Sequence, residues 1–342
     1  MRKLKLGLCG LGRAGYGMHL AELEGMEDMF EIYAVCDIEE DRRDNMKEKF
    51  GCKTYAKVED LVEDPDIDVV VVATRSCDHF KHAKTALDAG KLVFLEKPMC
   101  TEYKDAKILM DIAEKDGERR VFIRHNRRFE AKFMHLNKLI ESGILGDVYY
   151  IKRSVSSYDR RCDWQTLMQY GGGQLLNWGP HLVDQALQLC GGDYKRMMSV
   201  TRQIAASGDC EDYVSAMFEG VNGRQVQIEI SGGTAMKVPE YIVYGTRGTL
   251  IDNGETFTLN AVAEDYVFPP VKSSPHTPEG AKFHPNPPVP FEEKEITWET
   301  NRLDHTWRYL YDAIVNGKDY PIKTAEALKV METLTAIKEQ NL

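Results

Sequence analysis

One glycine pattern narrows the fold of this sequence more than any other feature. Gly10-Leu11-Gly12-Arg13-Ala14-Gly15 follows the apolar run LKLGLC and opens a stretch of helical composition. Glycines at this spacing between a strand and a helix meet three demands: a tight turn, close approach of the backbone to a pyrophosphate, and close packing of helix on strand. The helix start adds unpaired N–H groups and the positive end of a dipole. A second apolar run, EIYAVCD, ends on Asp37, where a carboxylate accepts hydrogen bonds from a ribose hydroxyl and repels a 2′-phosphate. Gly10, Gly12, Arg13, Ala14, Gly15 and Asp37 are therefore the expected dinucleotide contacts. NAD is favoured, and Arg42 and Arg43 keep NADP open.

The rest of the N-terminal third keeps the rhythm of that first unit. Helical EEDRRDNMKEKFG, apolar DVVVVAT, helical DHFKHAKTALDAG, apolar LVFLEKP, helical TEYKDAKILMDIAEKDG and apolar VFIRHN alternate in turn. Strands apolar on both faces and separated by helices predict a parallel sheet covered on both sides, an α/β dinucleotide-binding domain over residues 1–124. From residue 148 the pattern changes to VYYIKRSVSS, YVSAMFEG, RQVQIEISGG, YIVYGTRGTLIDN and EKEITWE, mostly without intervening helices. Residues 125–342 thus predict an α+β domain built on an antiparallel or mixed sheet with a few helices. Segment 269–290 is proline-rich and reads as an extended loop carrying exposed His276 and His284; NRLDHTWRYLYDAIVNG and TAEALKVMETLTAIKEQ read as closing helices.

Composition removes several alternatives. A net charge of −10 repels nucleic acid and anionic membrane surfaces. No apolar run approaches membrane-spanning length, and eight cysteines without a CxxC pair read as reduced thiols, so a cytoplasmic location is expected. The histidines are scattered without metal-ligand spacing, and no metal is expected.

Two further segments carry chemistry. Glu96-Lys97-Pro98 follows a strand whose C-terminal end belongs at the ligand crevice of a parallel sheet, where a lysine can steady the oxygen of a reacting hydroxyl; spacing alone fits a surface lysine before a turn proline equally well. In GGGQLLNWGPHLVD, Pro180 suits the first turn of a helix, so His181 lies near the positive end of its dipole and is kept neutral, ready to take a proton.

With these segments in view, the chain resembles the glucose-fructose oxidoreductase, inositol dehydrogenase and rhizopine-catabolism (Gfo/Idh/MocA) family, through GLCGLGRAG, DPDIDVVVVAT, DAGKLVFLEKP, RHNRRF, ESGILGDV and GGGQLLNWGPHLVD. The resemblance implies a Rossmann domain followed, over 125–342, by a substrate-binding and oligomerisation domain with a large open, mainly antiparallel sheet, in a homodimer or homotetramer. It also implies hydride transfer between a nicotinamide and a secondary alcohol or ketone of a sugar, polyol or cyclitol. Lys97 matches the hydroxyl-binding lysine, and His181 matches the acid–base histidine. Asn177 stands where the family frequently has Asp, so an assisting carboxylate is missing there. Thr74, Glu96 and Lys97 are carried over as cofactor contacts, and His79 is expected only to start a helix. Of Arg124, Asn126, Arg127 and Arg128, one is expected at the substrate or cofactor and the others in interdomain ion pairs. Tyr158, Arg160, Asp163, Trp164, Trp178 and Asp184 are the expected substrate-side residues, aromatic rings stacking on a sugar and polar groups binding its hydroxyls; for Asp184, on the helical face of His181, a structural carboxylate is the favoured alternative. Some relatives instead use NAD transiently to cleave glycosides, and others serve as non-catalytic NAD- and sugar-binding regulators.

Overall fold

The computed structural model describes residues 2–114, 118–276, 288–301 and 303–341. The chain opens with β1 (Leu4–Cys9), a π-helical turn (Arg13–His19) running into α1 (Leu20–Leu23), β2 (Phe30–Cys36), α2 (Glu40–Phe50), β3 (Lys53–Tyr55), α3 (Val58–Val62) and β4 (Val69–Val72). It continues with α4 (His79–Asp88), β5 (Leu92–Leu95), α5 (Tyr103–Ala113) and β6 (Val121–Ile123). These six strands form one parallel sheet in the order β3-β2-β1-β4-β5-β6. The reversal of strand order between β1 and β4 opens the crevice in which such sheets hold ligands. The all-valine β4 is buried along its whole length, as a strand covered on both faces must be.

A helix, α6 (Ala131–Glu141), leads into the second sheet. Its strands are β7 (Val148–Ser156), β8 (Tyr194–Arg202), β9 (Tyr213–Gly220), β10 (Gln225–Ser231), β11 (Tyr241–Gly245), β12 (Gly248–Asp252), β13 (Phe257–Val262) and β14 (Phe291–Ile296), in the order β14-β13-β12-β11-β7-β10-β9-β8. Every neighbouring pair is antiparallel except β7 with β10. In β9 buried and half-buried residues alternate strictly, which puts one face on helices and leaves the other open. The buried side packs on α7 (Gln174–Asn177) and α8 (Gly179–Leu189); α9 (His305–Asn316) and α10 (Thr324–Glu339) end the described chain. Among the described residues no helix is long and apolar enough to cross a membrane.

Residue 124 separates the two sheets but not their cores. Trp307 of α9, wholly buried, stacks edge-on against Phe30 at 5.3 Å and Phe94 at 4.7 Å, inside the first sheet's core. Tyr311 donates to the Arg2 carbonyl at 2.7 Å and Tyr320 to that of Ile123 at 3.1 Å. The proline-rich segment has no regular structure over 269–276, and His276 is exposed there; 277–287, with His284, lie outside the described residues.

Candidate active site

Gly10, Thr74, Lys97 and His125 all follow the C-terminal ends of parallel strands, so the crevice collects them from β1, β4, β5 and β6. At Gly10 (φ +95°) a Cβ would sit 2.6 Å from the Ala73 carbonyl oxygen, and at Gly15 it would sit 1.8 Å from that of Gly10. Neither position has room for a side chain. At Gly12 a Cβ would meet nothing within 4 Å. The loop is therefore closed on its protein side and open on the other, and the first helical amides, of Arg13, Ala14 and Gly15, have no intrahelical acceptor. That cradle fits the pyrophosphate of a dinucleotide.

Asp37 is buried and accepts from the Leu11 amide at 2.6 Å and the Glu39 amide at 3.0 Å. It ties the glycine loop to the end of β2. Arg42 lies 3.6 Å from the same carboxylate, and Arg43 donates to the Asp37 carbonyl at 2.8 Å. Arg42 is half-exposed beside this carboxylate.

Lys97 precedes a cis Pro98 and donates from Nζ to the Asn177 carbonyl at 2.9 Å, joining the end of β5 to the turn before α8. Burial, reinforced by Arg127, Arg124 and Arg13 and opposed by Glu96, pulls its ammonium down to about 8. His181, in the first turn of α8, is buried, and its Nδ1 has no hydrogen-bond partner. Burial first, then the charges of Lys97 and Arg127, hold its pKa well below the ordinary histidine value. A neutral imidazole and an ammonium of lowered pKa therefore share one crevice, an arrangement suited to moving a proton at neutral pH.

Three expected contacts have other duties. Glu96 is buried, bonded to Arg124 at 2.6 Å and 3.2 Å from His19 Nε2; burial opposes its charge, but Arg124 and His19 hold it ionised far below the usual carboxylate range. It belongs to a buried network with Glu22, which takes the other side of Arg124 and the Trp307 indole N–H, and not to the cofactor surface. Asp184 is almost fully buried in a two-pronged pair with Arg128, which removes it from the substrate side; its position on α8 gave the right face but not the partner. Asp163 caps the 3₁₀ turn Trp164–Thr166 through the Gln165 amide and pairs with Arg161 at 2.6 Å.

Asn177 reaches Lys97 through its main chain, while its side chain stands 3.4 Å from Gln165 Nε2 and 3.4 Å from Gln174 Oε1. Half-buried Trp178 stands edge-on to His181 at 5.9 Å, with the Arg127 guanidinium 4.4 Å from its ring centroid. Thr74 shares its hydroxyl with His82 Nδ1 at 3.1 Å. Tyr158 is exposed and bridges to Gly233, Arg160 is exposed, and Trp164 is half-buried. His79 starts α4 as expected, but its Nδ1 lies 2.6 Å from the Pro98 carbonyl and its Nε2 3.2 Å from that of Thr74, so it fastens the Lys97 turn to the end of β4.

Sequence reasoning missed Gln165, Arg161 and Tyr170. Tyr170 lies against Arg75, with the guanidinium 4.6 Å from the ring centroid, and Gly171 (φ +69°) is so close to the first domain that a Cβ would fall 2.7 Å from Thr101. Only the GGG that follows pointed to this segment, and glycines do not say what they approach.

Comparison with known proteins agrees with the geometry. Residues 4–125 match the NAD-binding Rossmann-fold model of the GFO/IDH/MocA oxidoreductase family, and residues 133–251 match its C-terminal domain. The chain belongs to the Gfo/Idh/MocA family. It is accordingly an NAD(P)-dependent oxidoreductase acting on CH–OH groups. An uncharacterised oxidoreductase of Schizosaccharomyces pombe is 30% identical over 74% of this chain and 71% of its own. The scyllo-inositol 2-dehydrogenase (NADP(+)) of Bacillus subtilis is 27% identical over 73% of this chain and 69% of its own. Among solved structures, an NAD-binding protein from Listeria innocua superposes with a TM-score of 0.82 at 25% identity, covering 99% of this chain and 95% of its own.

Proposed function

We propose that this oxidoreductase interconverts the secondary alcohol and the ketone of a sugar, polyol or cyclitol, with NAD as cofactor and NADP admitted by Arg42. The observation that carries the reading is the meeting of Lys97 with the turn that delivers His181: an ammonium on one strand end and a neutral imidazole on α8 are fixed by one hydrogen bond to Asn177. The nicotinamide, when bound, supplies or accepts the hydride. Gly10, Gly12, Gly15 and the amides of Arg13 and Ala14 would hold the pyrophosphate, Asp37 the adenine-side ribose, and Thr74 the far side of the crevice. Lys97 Nζ steadies the substrate oxygen as it gains charge, and the imidazole of His181 takes the hydroxyl proton in oxidation and returns it in reduction. Trp178 offers an aromatic face to the apolar side of a ring, while Asn177 and Gln165 offer amides to its hydroxyls. We infer in addition a homo-oligomer formed through the open face of the second sheet, where Met198, Val200, Tyr244 and Ile251 are exposed.

The test is a panel of sugars, polyols and cyclitols incubated with NAD or NADP, following absorbance of the reduced cofactor. Lys97→Ala and His181→Ala are each expected to lower kcat by roughly 100-fold or more, the ordinary contribution of a placed acid–base group. Full activity in both variants would overturn the reading.

A further inference from the structure

Charge around the reacting pair is not balanced. Lys97 Nζ donates to the neutral main-chain carbonyl of Asn177, and the Asn177 side chain meets only the amides of Gln165 and Gln174 among the described residues. The Arg127 guanidinium lies over Trp178, whose other neighbour is His181, so a second cation stands within a small molecule's length of the imidazole. Its charge reaches both Lys97 and His181, lowering the pKa of each.

The carboxylates of this region are engaged elsewhere. Glu96 is held by Arg124 and His19, Asp184 by Arg128, and Asp163 by Arg161 and the Gln165 amide. Glu130 takes a single terminal nitrogen of Arg127, Nη1, at 2.7 Å, with both side chains about a quarter exposed (28% and 24%). A pair at that exposure is screened by solvent and holds the guanidinium weakly. The remaining edge of Arg127 has no hydrogen-bond acceptor among the described residues, yet a guanidinium is built for two parallel bonds to one oxyanion.

We propose that the substrate of this site is a sugar or polyol acid, whose carboxylate seats on the open edge of Arg127 while its reacting hydroxyl lies between Lys97 and His181. The proposal rests on the dehydrogenase reading above and narrows it. A neutral cyclitol would bring no anion to the charges of Lys97 and Arg127, which both act on His181; a carboxylate compensates them and leaves the amides to read hydroxyls. The planar fork and the short span to His181 favour a carboxylate carried on the substrate's own carbon chain over a phosphate at the end of a longer arm.

The experiment is a calorimetric titration of the full chain with NADH present, at fixed ionic strength, using D-glucuronate and D-galactonate against D-glucose and myo-inositol, with D-glucose 6-phosphate as the phosphate arm. Turnover with NAD is followed in parallel. The acids are expected to bind at least ~10-fold more tightly than their neutral counterparts, a charge-assisted bidentate pair exceeding the ~1.4 kcal/mol that tenfold requires. Arg127→Met should collapse that ratio towards one and Arg127→Lys should restore part of it, with circular dichroism reporting the fold of each variant. The proposal falls if neutral ligands bind as tightly as the acids, if the phosphate ester outbinds the carboxylates, or if Arg127→Met weakens acid and neutral ligands alike. Oxidation confined to neutral polyols would remove this proposal and leave the dehydrogenase reading; oxidation of none of the panel, acid or neutral, would remove the sugar and polyol reading and this proposal with it.

Discussion

At the scale of single residues, Lys97 sets chemistry against stability. Its folded value of about 8 lies below that of an exposed lysine, because burial and the neighbouring arginines disfavour the cation. The sign follows: the fold carries this cost wherever the side chain is charged, below about 8, and is relieved as pH rises towards the unfolded lysine value. Lys97→Met should therefore melt no lower than the parent at neutral pH while losing turnover; a melting temperature several degrees lower would show that the ammonium holds the fold together. For carbonyl reduction the ammonium must be present, so the initial rate should fall as pH rises through about 8, and Lys97→Arg should shift that limb upward. A rate unchanged across that range would remove Lys97 from the chemistry. The place of His181 in the first turn of α8 was legible from Pro180, but its lowered pKa comes from burial and then from the charges of Lys97 and Arg127, which helix position does not show. Glu96 and Asp184 were not: a carboxylate in a motif shows its charge in the sequence, but the arginine that neutralises it comes from a distant strand or turn.

Elements divide the same way. The helices and strands of the first sheet with strong apolar patterns stand where the alternation put them, but three-residue β3 is too short to show a period. Strand β8 lies at a sheet edge with most of its residues exposed or half-buried, so its sequence carries little apolar alternation. Helix α6 did carry a signal, Phe133, Leu136 and Ile140 at helical spacing, and all three are buried. The segment from Met168 to Gly173 carried no signal beyond its glycines, because it packs against another domain. Gly171 packs against Thr101 and Ser76 in a left-handed conformation. An Ala there adds about 1–2 kcal/mol of backbone strain and a methyl where Thr101 stands. Gly171→Ala should lift this segment off the Arg75 loop and speed NADH release, read by stopped-flow fluorescence; an unchanged release rate would detach the segment from cofactor retention.

Across the whole molecule, Trp307 of α9 completes the first sheet's core from far along the chain, buried against Phe30, Phe94 and His19 and bonded to Glu22. Trp307→Ala should cost roughly 3–5 kcal/mol, the usual penalty for emptying a large aromatic site. In urea, loss of NADH binding and loss of secondary structure should move together to lower concentration; a cofactor-binding transition that stayed in place would mean the first domain stands alone. Alternation of strands and helices could assign residues to sheets, but not show that a helix near the end of the described chain completes the first of them.

That arrangement bears on how the protein is made. Domains generally fold as units, in the order in which the ribosome releases them. Here β1 to β6 emerge long before α9, and until Trp307 arrives the aromatic faces of Phe30 and Phe94 have no cover and Arg124 holds its charges without their indole neighbour. The nascent nucleotide-binding half must wait, with its apolar surface open, for a tryptophan translated after the whole second sheet.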